Sequence, residues 1–345
     1  MELIHKLGTA DRYLGRLDAF SDQVDVDFYV RMHIAKEATL SAKIEGTQTS
    51  MREALLDREA IAQGRRDDWE EVNNYITALH HATGALQSLP LSSRLICDTH
   101  RILLQGVRGK NKQPGTFRTS QNWIGGSSPG SAVFVPPTAD QVHPLMSDLE
   151  KMMNNPAIRL PELLRAALIH YQFETIHPFL DGNGRLGRLL IPLYLIERKI
   201  LRRPVLYLSA YFEGRREEYY SRLMDVRTKG LLGQWFSFFL EGIISTARDG
   251  VHTFNETIQL NRRLTEHLHE VMGQRGANAQ RLARHLFKQP ITSAATISEA
   301  LEVTPTTAYK LIQRFVELGY LTEVPTQARG RRYGFEPYLR LFADQ

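Results

Sequence analysis

The 345-residue chain is poor in cysteine and in long apolar runs. It holds one cysteine, Cys97. That excludes an intrachain disulfide and any cysteine-ligated zinc site. Its most apolar stretch, 186–208, is broken by Glu197, Arg198, Lys199, Arg202 and Arg203, so no segment is expected to span a bilayer. The first residues, Met1-Glu2-Leu3-Ile4-His5-Lys6, do not read as a secretory leader. A cytoplasmic, reducing location is the resulting expectation. There is no internal repeat and no G-x-x-x-x-G-K-[ST] loop, which argues against a P-loop enzyme. His80, His81, His100, His170, His267 and His269 lack metal-ligand spacing and read as core or surface residues.

What is present is ordinary globular material. Hydrophobic residues make up 42% and charged residues 23%, enough apolar surface for a sizeable core and too much for global disorder. The length suggests two or three domains. Lys and Arg total 43 against 38 Asp and Glu, a net charge of +5. That permits an anionic partner without requiring one.

Most of the chain has helical periodicity. Val30, Ile34, Leu40 and Ile44 place a helix over 27–46, with Gly46 as its stop. Ser50 and Glu53 read as a capping box. Further helices are expected over 69–86, 94–105 and 142–153, the last preceded by a box at Thr138 and Gln141. Others are expected over 161–173, up to about 198, over 216–228 and 232–244, and in a long helix ending near 272. The segment 106–137 is rich in Gly and Pro. Its short runs 116–119 and 132–135 suit extended segments of a hairpin-like loop.

Chemistry concentrates at 177–188, which reads His-Pro-Phe-Leu-Asp-Gly-Asn-Gly-Arg-Leu-Gly-Arg. Gly182, Asn183 and Gly184 let backbone N–H groups approach a ligand, and the following helix aims its positive end at the same place. Arg185 and Arg188 are three apart and share a helix face; guanidiniums there suit phosphate oxygens. Asp181 could hold Mg²⁺ bridging those phosphates. His177 suits general-base work. The set describes phosphoryl or nucleotidyl transfer from a nucleoside triphosphate to a hydroxyl. Residues 182–187 also match G-x-G-x-x-G, but the hydrophobic strand which that fingerprint needs does not precede them.

The run resembles the signature of the Fic family, H-P-F-x-(D/E)-G-N-G-R-x-x-R. His177, Pro178, Phe179, Asp181, Gly182, Asn183, Gly184, Arg185 and Arg188 fill every defined position. The resemblance implies a protein adenylyltransferase using ATP and Mg²⁺, with a mainly α, Fic-type helical bundle carrying a short β-hairpin flap. His177 would be the base, Asp181 the metal ligand, and Gly182, Asn183 and Gly184 the anion hole. Arg185 would meet the β-phosphate and Arg188 the γ-phosphate, with Leu186 and Gly187 completing the nucleotide site. Phe179 would be a core anchor. The flap, about 114–137 with Trp123, Ile124, Gly125 and Gly126, would dock an extended target segment. Tyr211 and Gly214 would close the adenine side. Ser41-Ala42-Lys43-Ile44-Glu45-Gly46 resembles the family's inhibitory (S/T)-x-x-x-E-(G/N) helix. By that resemblance Glu45 pairs with Arg188 and obstructs the γ-phosphate, or positions water to remove AMP from a target. The expected partners are ATP, a target protein or the chain itself, and a second copy in a homodimer; no membrane is expected.

The C-terminal 65 or so residues read as a separate unit. Short helices over 279–287 and 297–301 precede one that starts at Thr304-Pro305 and runs to Gly319. Two strands, 320–324 and 332–335, would flank a basic turn. That order is a winged-helix pattern. From Arg281 onward there are nine Lys and Arg against six Asp and Glu. Lys310 and Arg314 on the recognition helix, with Arg331 and Arg332 near the wing tip beside Arg329, are candidate DNA contacts. A DNA-binding regulator with a nucleotide-sensing core is the competing reading, and protein interaction is the other use of such a unit. The expected division is 1–88 for an N-terminal helical region, 89–272 for the catalytic core, and 279–345 for the winged helix.

Overall fold

A computed structural model describes residues 1–20, 26–106, 110–272, 276–325 and 330–343. Fifteen α-helices are found among them. The N-terminal part contains α1 (Glu2–Phe20), α2 (Val26–Ile44), α3 (Met51–Ala54), α4 (Arg66–Ala85) and α5 (Ser93–Leu103). The centre contains α6 (Ala139–Asn154), α7 (Glu162–Ile176), α8 (Asn183–Glu197), α9 (Ser209–Glu213), α10 (Arg216–Lys229) and α11 (Leu232–Met272). No helix among the described residues is long and apolar enough to cross a membrane.

The bundle is organised around α8. Every residue from Arg185 to Ile196 in it is buried, as expected of a helix that packs on all sides. It touches α7, α4, α5 and α2. The site therefore sits at the N-terminus of a helix enclosed along most of its length.

Local signals account for several boundaries. Ser50 and Glu53 form the expected reciprocal box: Ser50 Oγ accepts from Glu53 N–H at 3.3 Å, and Ser50 N–H donates to Glu53 Oε2 at 2.8 Å. Gly46 ends the α2 turn with φ 101°. The box at Thr138 does not form. Thr138 caps no helix N–H, and the Gln141 amide turns to Asp140 at 3.1 Å. The separate helices expected over 232–244 and on to 272 are one 41-residue helix. Within it Gly242 and Gly250 act as close-contact points. A Cβ at either would lie 2.9 Å from Tyr211 or Leu17.

The hairpin pairing also differs from expectation. Residues 116–119 form no strand; the pairing is one antiparallel bridge, Ile124 with Phe134. Arg118 turns inward and is fully buried, and its backbone N–H goes to Pro178 O at 2.9 Å rather than to a partner strand.

The C-terminal unit consists of α12 (Ala277–Lys288), β1 (Ile291–Thr292), α13 (Ala294–Leu301), α14 (Pro305–Glu317), β2 (Leu321–Val324), β3 (Arg332–Phe335) and α15 (Glu336–Leu339). Thr304 caps α14 through its side chain and Pro305 opens it. The sheet runs β1-β3-β2, all antiparallel, with Ile291 opposite Gly334 and Leu321 opposite Phe335. The two-residue strand β1 is too short to signal itself in sequence. Of the expected linker 273–278, residues 273–275 lie outside the described residues, as does Arg329. The unit leans on the N-terminal region. α12 packs on α2, Arg52 donates twice to Glu336 at 2.6 and 2.7 Å, and the Phe342 ring lies 5.0 Å from His33.

Candidate active site

Helix α7 ends because Pro178 cannot follow in helical geometry. His177 closes it in the left-handed region, with φ 50° and ψ 59°. A non-glycine residue is strained there and persists only where its surroundings hold it. They do. The His177 carbonyl accepts from Arg118 Nε at 2.9 Å and Asn122 Nδ2 at 3.3 Å, and its N–H reaches Phe173 O at 2.9 Å. The ring's Nδ1 is buried without a hydrogen-bond partner. Burial is the main cause that lowers the imidazole pKa to about 4; Glu45 opposes it, while Arg227 and Arg118 add to it. The ring is therefore neutral at pH 7.

Phe179 anchors the turn that follows. It is fully buried and stacks on His100 at 3.7 Å. The Asn183 side chain grips its backbone on both sides, accepting from Phe179 N–H at 2.9 Å and donating to its carbonyl at 2.8 Å. The Asn183 amide is thus committed to the turn, which leaves its backbone N–H as the group able to meet a ligand. Leu186 is the first residue of α8 whose N–H finds a helical acceptor, Gly182 O at 3.0 Å. The N–H groups of Asn183, Gly184 and Arg185 precede it and face outward, the usual anion-binding end of a helix. Leu186 lies wholly in the core, and Gly187 packs against Glu174. Both sit behind the cradle.

Glu45 reaches the same end. A Cβ on Gly184 would lie 2.3 Å from Glu45 Oε1, so only glycine leaves room for that carboxylate. Arg188 Nη2 donates to Glu45 Oε1 at 2.7 Å and to Ser41 O at 2.9 Å; its Nε donates to Ser41 Oγ at 2.9 Å. The Arg188 side chain is 1% exposed and that of Glu45 36%. Burial pushes the Glu45 carboxyl up, but Arg188, helped by Arg185 and His177, holds it below the usual range. Arg185 pairs with Glu71 at 3.0 Å and more loosely with Asp181 at 3.5 Å. Both motif arginines are engaged by carboxylates.

Asp181 keeps 44% of its side chain exposed, and Oδ1 accepts from Gly182 N–H at 2.6 Å. No group of three or more His, Cys, Asp or Glu suited to a metal occurs among the described residues. Magnesium commonly takes one or two protein carboxylates and completes its shell with phosphate and water. A lone exposed Asp181 beside the cradle fits that demand.

The flap is fixed at its base and open at its edge. Arg118 Nη2 donates to Pro137 O at 2.5 Å and Nη1 to Ser120 O at 3.2 Å. One buried guanidinium therefore ties both flap ends to the His177 carbonyl. The Arg227 guanidinium lies 3.8 Å from the Phe134 ring centroid. Trp123 is 40% exposed, Val133 67% and Val135 45%. Ile124 pairs within the flap, and Gly125 and Gly126 turn it with φ 70° at each.

Tyr211 and Gly214 lie on α9 and just after it. They line a cavity of about 620 Å³ with Lys36, Leu40, Arg215 and Asp249, and no residue of 177–188 is among its walls. Tyr211 is covered by Arg215 at 4.4 Å. Among the candidate DNA contacts, Arg332 turns away to Asp57 at 3.0 Å. Arg314 pairs with Glu317 at 2.9 Å and Arg331 with Glu323 at 3.6 Å. Lys310 is exposed.

Several residues that position the site gave no sequence signal. His100 accepts from Gly115 N–H at Nδ1, 2.8 Å away, so its Nε2 carries the proton that meets Asp181 O at 3.0 Å. His170 bridges Gly187 O at 2.9 Å and Tyr219 Oη at 2.8 Å. Burial lowers these rings to about 4 and about 3. Arg227 donates to Glu174 O at 3.0 Å. A histidine or arginine within an apolar stretch is the one sign such residues offer.

The Fic/DOC family model matches residues 90–195, and the Fic/DOC N-terminal model matches residues 4–84. Curated proteins named protein adenylyltransferase Fic from Drosophila erecta and Drosophila willistoni are 31% and 33% identical over 156 residues. The match spans 44% of this chain and 30% of each relative's length. A Fic family protein from Desulfovibrio desulfuricans G20 shares the fold with a TM-score of 0.63 at 21% identity, covering 96% of this chain and 95% of that one. Fic-1 from C. elegans gives 0.58 at 22% identity, covering 74% of each chain. The two family models together take in more than half of the residues, and they include both Glu45, just past α2, and the cradle it enters: the chain belongs to the Fic/DOC family.

Proposed function

We propose that the chain is an ATP-dependent protein adenylyltransferase restrained by its own Glu45. It transfers AMP to a Ser, Thr or Tyr hydroxyl of a target protein or of itself. The observation that carries this reading is the cradle: three outward N–H groups on α8, two arginines behind them, and a neutral imidazole at the end of α7. The curated relatives' name supports the same activity.

The steps follow from these groups. A target segment lies along the flap edge by strand addition. His177, neutral and held by Arg118 and Asn122, takes the hydroxyl proton. With Nδ1 buried, Nε2 is the nitrogen that meets the hydroxyl. The oxygen attacks the α-phosphorus, the bond to the β-phosphate oxygen breaks, and pyrophosphate leaves. The α8 N–H groups and Arg185 stabilise charge on the phosphates. Asp181 would hold Mg²⁺, which offsets the charge of the phosphate tail when bound. Arg188 takes the γ-phosphate once Glu45 gives it up. A bidentate guanidinium–phosphate contact is strong enough to compete with that single carboxylate bond.

Incubation with α-labelled ATP and Mg²⁺ tests the reading, with transfer mapped by intact mass. Glu45→Gly is expected to self-label at least about tenfold faster than the unaltered chain, the equivalent of one carboxylate–guanidinium hydrogen bond. His177→Ala should abolish labelling. Equal rates for Glu45→Gly and the unaltered chain would remove the restraint; labelling that survives His177→Ala would remove the assigned base.

Two additional readings have an observation behind them. The ionised Glu45 beside the cradle also suits positioning of water for removal of AMP. Release of AMP from a modified target that is lost in Glu45→Gly would favour that direction. The C-terminal unit, 279–345, is read as a winged helix that meets duplex DNA. Tyr309 is 48% exposed and Lys310 is exposed on α14, and the Arg331 side chain before β3 is 65% exposed.

A further inference from the structure

The charge of Arg188 bears on more than one carboxylate. Glu45 takes its hydrogen bond. Glu174, on α7 three residues before His177, acts on the same guanidinium. The Glu174 side chain is almost wholly buried, and its Oε1 has no hydrogen-bond partner. A Cβ on Gly187 would lie 2.3 Å from that oxygen. The carboxyl is thus wedged against the α8 backbone one residue before Arg188. Buried polar atoms are nearly always paired, and no step of the transfer uses this one.

The charges around Glu174 can be counted element by element. The turn after α2 brings Glu45, α8 brings Arg188, and α10 brings Arg227 with Tyr219 and Tyr220. His177 follows on its own chain segment. The histidine is neutral near pH 7 because burial lowers it to about 4. Both tyrosines are pushed up by burial and stay neutral. Arg188 and Arg227 therefore balance Glu45 and Glu174. A triphosphate tail in place of Glu45 brings more than one negative charge and upsets that balance. Two interacting sites of like charge respond by raising the affinity of one for a proton. Glu174 is the carboxyl placed to take it, since Oε1 has no donor to give up.

We propose that Glu174 is a positioning residue for Arg188 that works by proton exchange: ionised and facing the guanidinium when Glu45 withdraws, protonated and neutral when a triphosphate tail takes the Glu45 place. The proton comes from solvent, one for each nucleotide bound, and returns to solvent when pyrophosphate leaves. This rests on the transfer reading above, since it requires a triphosphate at Arg188. The titration range agrees with the geometry. Burial pushes the carboxyl up to about 7, Glu45 pushes the same way, and Arg188 and Arg227 oppose. Loss of Glu45 lowers it, and an entering phosphate raises it again.

Calorimetry of full-length Glu45→Gly with Mg²⁺ and α,β-methylene ATP, which cannot transfer AMP, tests this. It is run at pH 8 in two buffers of different ionisation heat. The expected result is uptake approaching one proton per nucleotide, with affinity falling by up to about tenfold per pH unit above pH 8. Both effects should vanish in Glu45→Gly/Glu174→Gln, whose amide mimics the neutral acid. Should that variant not fold, the ¹³C carboxyl signal of Glu174 in Glu45→Gly decides, by moving to its protonated position when nucleotide is added. Nucleotide binding without proton uptake, or equal uptake in both variants, overturns the proposal alone. Absence of nucleotide binding to Glu45→Gly overturns the transfer reading and this proposal with it.

Discussion

The arginines of α8 and the cations of the C-terminal unit are the same chemistry in opposite surroundings. Arg185 and Arg188 have side chains 5% and 1% exposed, and Ser41, Glu45, Glu71 and Asp181 supply their acceptors. Arg314 and Arg331 are 41% and 65% exposed and pair with neighbours on their own unit. A buried cation must be matched by acceptors or it costs several kcal/mol; a solvated one exchanges partners with water. The buried set therefore fixes where α2 and α4 stand, because their acceptors have to be there. On the proposed reading it would also make restraint specific, since a phosphate would reach Arg188 only by replacing the Glu45 carboxylate that holds it.

That contrast is sharpest in stability. Arg188→Ala removes the cation between Glu45 and Glu174 and strands buried acceptors. Unfolding in urea should show a loss of about 2–4 kcal/mol. Arg314→Ala breaks one exposed pair within α14 and should cost less than about 1 kcal/mol. Equal losses in the two variants would erase the distinction.

The buried region should also carry most of the molecule's response to acid. Burial holds His33, His100, His170 and His177 at about 3 to 4. They stay neutral in the fold while the unfolded chain protonates them near 6.5. Stability from this source is intact above pH 6.5 and is lost as pH falls toward 4. Glu37 and Glu174, which burial raises, act in the opposite direction. With four histidines against two carboxyls, the net loss near pH 5.5 is roughly 1–3 kcal/mol per pH unit. Thermal melts from pH 7 to pH 5 should show a falling Tm. A flat profile would mean that the motif's scaffold is better hydrated than its packing implies.

Legibility in sequence follows the same division. Residues 177–188 could be read because the chemistry is local: twelve successive residues hold base, acid, glycines and arginines. Ser41 and Glu45 could be read from one helical turn. α14, with Thr304 and Pro305, announced itself through capping. Arg118, Asn122, Glu174, Arg227, His100 and His170 could not be read, because each acts on a partner distant in sequence. Arg118 meets His177 across 59 residues, and His100 meets Asp181 across 81. The single long α11 was obscured by glycines that serve packing. Only the first arm of the hairpin, 116–119, was misplaced, because Arg118 sits in an extended-looking run yet belongs to the interior. Pattern reports periodicity and nearby chemistry; long-range polar pairs leave no trace in either.

The smallest expected effect lies on the solvated face, where the comparison can be sharpened without touching the fold. Lys310→Ala/Arg331→Ala should leave the Tm nearly unchanged, since Lys310 is exposed and the Arg331–Glu323 pair to β2 is long and solvent-exposed. Its consequence belongs to binding. If α14 and the β2–β3 turn meet duplex DNA, each lost phosphate contact lowers the slope of log affinity against log salt by about 0.9, so the double variant should lower it by nearly two. Arg332→Ala should leave the slope where it was, because its guanidinium is held by Asp57. Fluorescence anisotropy of a labelled duplex at several salt concentrations separates these outcomes. An Arg332→Ala effect as large as that of Arg331→Ala would mean that the Asp57 pair opens on DNA. No binding by the unaltered chain would leave this face to a protein partner, and the buried arginines as the only cations in the comparison with an anionic ligand.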